Sequence, residues 1–170
     1  MEKLRNTNFV ELFGIFGIIA SLTFVGAQLV LDRNIANGEA FQSRVALNVE
    51  NLIGQRDNRE IVQGRAKRYE ANEPAWWSAE VPRYIDENNL TMEDVVRMEI
   101  QAAIYIQITD NNLYQYELGL IDEDSWVSMR QGFKGNWLNP VSKARILASD
   151  YLRPSMQRLI SEITAELNTQ

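Results

Sequence analysis

An all-α fold, with a single N-terminal transmembrane helix continuing into a small soluble helical-bundle domain, is predicted by three features of this sequence. Residues 9–31, FVELFGIFGIIASLTFVGAQLVL, form an apolar run in which Ser21, Thr23 and Gln28 are the only polar residues from Leu12 onward. A helix needs about 20 apolar residues to cross about 30 Å of hydrocarbon, so this run is long enough to span a bilayer. Residues 95–108 form a second stretch that is apolar on nearly every side of a helix, bracketed by a capping signal and a glycine. No strand-like alternation of useful length appears anywhere in the chain.

The organisation that follows is a tail at 1–8, a transmembrane helix at 9–31, a juxtamembrane helix at 32–54 and a helical domain at 55–170. A cleavable signal has a shorter apolar core followed by a small-x-small site, and Asp32-Arg33-Asn34-Ile35 offers none. Within the span, Glu11, Gly14, Ile18, Ser21, Val25, Gln28 and Asp32 recur at alternating spacings of three and four, which places them on one seam with Gly17 beside it. Small residues let helices approach closely in lipid, and Ser or Gln can then bond across the contact. Glu11, Gly14, Gly17, Ser21 and Gln28 are therefore expected to face another helix, in a homo-oligomer or in a different membrane subunit.

Beyond the span, Ile35, Phe41, Val45, Val49 and Leu52 share a face, and Asn37-Gly38 is a weak point in a helix that runs on to about Gly54. A second helix is expected over 56–72 with Asn58 as a candidate N-cap. Its cations Arg59, Arg65, Lys67 and Arg68 are either a lipid headgroup contact or a solvated face. Residues 73–90 read as irregular, with Pro74, Pro82 and the pair Trp76-Trp77. Adjacent tryptophans in a loop are not expected to point into one core, which makes Trp76 and Trp77 a candidate partner contact, against the plainer reading of a loop held over the core by its aromatics.

Thr91 followed by Asp94 resembles a capping box and opens the central helix, which runs to about Leu118. Gln107, Asp110, Asn111 and Tyr114 form a polar stripe on it, read as a solvated helix end or the lining of a small site. Gly119 suits a left-handed C-terminal cap, Asp122 an N-cap, and a helix then carries Trp126, Met129, Phe133 and Trp137. Asn139-Pro140 stops it, a short helix covers 141–151, and Pro154 starts a last helix with Met156, Leu159, Ile160, Ile163 and Leu167.

Composition narrows the chemistry. The 170 residues include no cysteine and no histidine, which removes disulfides, thiolate nucleophiles, the usual zinc sites and Ser-His-Asp triads. A net charge of −6, carried entirely after Leu31, opposes binding to nucleic acid. Carboxylate catalysis remains open through Glu99, Glu117, Asp122, Glu123 and Asp124, and a pore lined by the polar seam is a second alternative. The leading expectation is a non-enzymatic accessory or scaffold subunit without a cofactor, acting by association in membrane lipid. Lys3 and Arg5 before the span nearly balance Arg33 and Arg44 after it, so charge alone does not orient the chain.

Two stretches, VELFGIFGIIASLTFVGAQLVLDRNIANGEAFQ and LYQYELGLIDEDSWVSMRQGF, are similar to a widespread family of short bacterial membrane proteins, and the second carries the more specific pattern. The resemblance covers nearly the whole chain. It implies one N-terminal transmembrane helix in the bacterial inner membrane and a small helical domain on the cytoplasmic side. It brings with it no activity, cofactor or catalytic residue.

Overall fold

The computed structural model describes residues 2–169, with side chains from Glu11 onward. Lys3, Arg5 and Phe9, counted above for charge and for the span, lie outside the described side chains. Seven α-helices and one turn of 3-10 helix follow in order, with no strand among the described residues: α1 Glu2–Asp57, α2 Arg59–Ala71, α3 Glu80–Glu87, α4 Met92–Glu117, α5 Glu123–Lys134, the 3-10 turn Gly135–Leu138, α6 Pro140–Leu147 and α7 Pro154–Asn168. The predicted fold class, a long apolar N-terminal helix followed by a helical domain, is what the structure shows.

The chain divides into two compact units, Met1–Glu39 and Ala40–Gln170. In the first, α1 is the sole element, and every residue over 11–33 is exposed. Asn37-Gly38 does not interrupt α1. One interior glycine costs only about 1 kcal/mol against alanine, too little to end a helix bonded on both sides.

The second unit opens with the end of α1, so the segment read as juxtamembrane supplies Val45, Val49 and Leu52 to the domain's interior. Central helix α4 runs through all three core clusters. Val96, Ile100 and Ile104 pack with Val62 and Ala66 of α2. Val95 packs with Val81 and Ile85 of α3 and Val141 and Ala144 of α6. Ile106 and Leu113 join the largest cluster, with Trp126, Phe133, Ile146, Met156 and Ile163.

The expected punctuation is present. The Asn58 side chain accepts from the Ile61 N–H at 3.2 Å, which sets the start of α2 at Arg59 rather than 56. Thr91 and Asp94 form a full capping box, with the Thr91 N–H on Asp94 Oδ2 at 2.9 Å and the Asp94 N–H on Thr91 Oγ1 at 3.2 Å. Gly119 sits at φ +73°, the Leu120 N–H reaches the Gln115 carbonyl and the Gly119 N–H reaches that of Tyr116, the paired bonds of a Schellman motif. Asp122 and Asn139 cap α5 and α6, and Pro140 and Pro154 occupy first turns.

Three elements depart from expectation. Helix α5 ends at Lys134 and tightens into the 3-10 turn that carries Trp137, and α6 stops at Leu147, short of 151. Residues 73–90, read as irregular, contain helix α3, whose Val81 and Ile85 lie one turn apart and are both buried. Pro82 falls in its first turn, where a missing N–H costs no helical bond. Trp76 and Trp77, expected to diverge, pack against the same cluster, each half-buried. A turn closed by the Trp77 N–H on the Pro74 carbonyl at 3.0 Å keeps both on one side, and their rings meet edge to face at 6.2 Å.

Candidate functional site

Two features of this chain invite a functional reading, one in each unit. The first is the apolar helix. Residues from Glu11 form a stretch long and apolar enough to cross a membrane, and none of its most apolar window is buried within the chain. On the predicted seam, the Ser21 hydroxyl donates to the Gly17 carbonyl of its own helix at 2.8 Å, and Thr23 does the same to Ile19 at 2.9 Å. Both hydroxyls are thus compatible with hydrocarbon without an outside partner. A Cβ placed on Gly14 or Gly17 would meet nothing in this chain, so no other described segment packs on those positions. Glu11 and Gln28 share the seam and are exposed.

The second feature is an open cavity of about 830 Å³ lined by α2 and α4, with Arg145 of α6 also in its lining. Its lining includes Glu99, an acid in the middle of an apolar helix, 9% exposed. Burying a carboxylate costs several kcal/mol unless it is paired and hydrogen-bonded. Here the Tyr69 hydroxyl donates to Glu99 Oε2 at 2.6 Å, while Arg65 Nη1 and Arg145 Nε stand at 3.9 and 3.6 Å from its two oxygens. Burial, reinforced by that bond and by the Glu99 charge, pushes the Tyr69 phenol well above its ordinary pKa, so it stays a donor. Arg145 reaches the Ser149 and Tyr151 hydroxyls through its two Nη atoms, but its buried Nε has no hydrogen-bond partner. Leu52, Ile100 and Ala103 supply apolar lining to the same cavity.

The cations read as one basic face separate in space. Arg59 and Lys67 are exposed. Arg65 turns inward, with Nη2 on Gln55 Oε1 at 2.6 Å, and Arg68 stands at the cavity mouth with its Nε on the Gly64 carbonyl at 3.4 Å. Arg65 therefore belongs to the cavity and not to an outward headgroup-facing set.

The polar stripe on α4 is also not a solvated end, because Asp110 and Asn111 are buried. Arg153 closes on Asp110 Oδ1 at 2.8 Å and on Glu117 Oε2 at 2.9 Å, and its guanidinium lies 5.4 Å from the Phe41 ring and 4.9 Å from that of Tyr114. Among the other carboxylates weighed for catalysis, Asp122 caps α5 and Glu123 accepts from the Tyr116 hydroxyl. Sequence reasoning did not anticipate the Tyr69–Glu99–Arg145 group. The signal available was Glu99 itself, the one acid among residues 95–108.

Comparison with protein-family models, with curated proteins and with solved structures returned no match for this chain.

Proposed function

We propose that this chain is a membrane-anchored accessory or scaffold protein of the bacterial inner membrane that acts by association, either with copies of itself or within a larger membrane complex. The observation that carries the reading is the full exposure of an apolar run beside a domain that already has its own core. A stretch with Phe13, Leu22 and Phe24 each at least two-thirds exposed is stable only where something apolar surrounds it. Hydrocarbon meets that need along its whole length, and the glycine seam supports close approach by a second helix. The resemblance to short bacterial membrane proteins, together with exposed Arg59 and Lys67 suited to an anionic leaflet, favours a cytoplasmic domain.

Alkaline extraction of membranes tests the anchor: the full chain stays in the pellet if it spans, and release into the supernatant overturns the reading. Replacing Gly14 and Gly17 with Leu should weaken self-association in a membrane two-hybrid assay, and unchanged association means that those glycines face lipid. For orientation, a phosphatase fused after Gln170 should be inactive, and activity there places the domain outside.

A further inference from the structure

The geometry points to the cavity lined by α2 and α4 as a binding site for a phosphate monoester carried on an apolar stem, with Arg65, Arg68 and Arg145 on the phosphate and Leu52, Ile100 and Ala103 along the stem. This inference is independent of the role proposed for the anchor. Its first support is a contrast within the same domain. Where an arginine serves only to join elements, it closes fully: Arg153 meets Asp110 and Glu117 at 2.8 and 2.9 Å. Around Glu99 the two guanidiniums stop at 3.9 and 3.6 Å, beyond hydrogen-bond distance, so the buried Arg145 Nε is ion-paired with Glu99 but has no hydrogen-bond partner. Buried charged groups in native proteins are almost always fully hydrogen-bonded, so a cluster whose two arginines are this loosely closed on one carboxylate is suited to a further oxyanion in the cavity.

Charge and size define that acceptor. Three arginines line the cavity against Glu73 and Glu99, a local excess of one positive charge in a chain whose net charge is −6. Guanidinium forks match oxyanions, and a phosphate monoester brings close to two negative charges and three free oxygens to three such forks. A volume of about 830 Å³ accommodates a small ligand, and the apolar lining would shield an alkyl stem from water. Glu99, held by Tyr69 at 2.6 Å, ion-pairs with both Arg65 and Arg145 and so keeps their guanidiniums in the cavity lining. Two sources present this chemistry, a phosphatidic-acid-type headgroup and a free phosphate ester.

The test is calorimetric titration of the full chain in non-ionic detergent with hexyl phosphate, with hexanol as the uncharged probe. Saturable binding of hexyl phosphate, absent with hexanol, is expected. Arg145→Gln and Arg68→Gln should each weaken it about tenfold or more, the scale of a lost charge-assisted bond. Arg68 is exposed, so Arg68→Gln retains the test if Arg145→Gln unfolds in a melting scan. Competition by phosphatidic acid in mixed micelles assigns the site to a headgroup, and competition by inorganic phosphate without it assigns a free ester. No saturable heat with hexyl phosphate, equal binding of hexanol, or unchanged affinity in the folded variants overturns the proposal.

Discussion

Two stretches of this chain, residues 11–31 and 95–108, look alike as text and meet opposite surroundings in space. Both are helical and apolar on nearly every side. Leu22 and Phe24 are 67% and 69% exposed, whereas Ile100 and Ile106 are 1% and 0% exposed. An all-round apolar helix therefore predicts that something apolar encloses it, and leaves open whether that is protein or lipid. What distinguishes the two is the supply of partners: the second stretch has amphipathic helices on both sides of it in the chain, each with one face to spend, and the first has none in its unit.

The largest expected effect that sharpens this contrast comes from the same kind of deletion made in both places. Ile106→Ala should destabilise the domain by about 2–5 kcal/mol in urea unfolding, the usual cost of a large core truncation. Leu22→Ala should leave that transition in place, and a comparable shift would mean that residue 22 belongs to a protein core. Next comes charge. Ile18→Lys should impair membrane insertion by about 2.5–3.5 kcal/mol, read from the inserted fraction in a translocon assay. On α4, Tyr105→Lys at a 44% exposed position should shift domain stability by about 0.5 kcal/mol or less.

The one acid inside the buried stretch gives a smaller effect. Tyr69→Phe removes the bond to Glu99 and should cost about 1–3 kcal/mol near neutral pH. Because the folded Tyr69 pKa is raised, its contribution is fully present below the unfolded value near 10 and is lost as pH rises above it. Urea midpoints should therefore fall less steeply above pH 10 in Tyr69→Phe than in the parent, and parallel slopes would show that Tyr69 does not titrate as its surroundings dictate. At the start of α4, Thr91→Ala should cost about 1 kcal/mol in thermal unfolding through loss of the capping box, above only the near-silent Tyr105→Lys.

Much of the fold was legible because helix ends are local. Asn58, Thr91, Gly119, Asp122, Asn139 and Pro154 each act within a few residues of their own position, and each stands where its side chain or backbone predicts. Helix α3 escaped notice because Pro82 reads as a breaker unless the helix start is known, and nothing before Glu80 caps it: Ala79 makes no side-chain bond. Trp76 and Trp77 fit the plainer reading of a loop held over the core by its aromatics, because a turn does not oblige adjacent residues to diverge. The cavity was not legible for a different reason. Its electrostatics join Arg65, Glu99 and Arg145, which come from three helices, and no local pattern announces that a basic residue on one of them will turn inward.

Arg153 draws together Phe41 at the opening of the domain, Asp110 and Glu117 on its central helix, and its own position at the threshold of the last helix. Such a knot has a consequence for the order of events during synthesis. The apolar helix precedes the domain in the chain and so leaves the ribosome before it, and contacts remote in sequence form only after both halves are available. The Phe41 and Asp110 side chains therefore wait for Arg153, and the largest cluster waits for Met156 and Ile163 behind it. The apolar helix is therefore available to its surroundings while the domain is still open, and the domain closes only once the chain through α7 has been made.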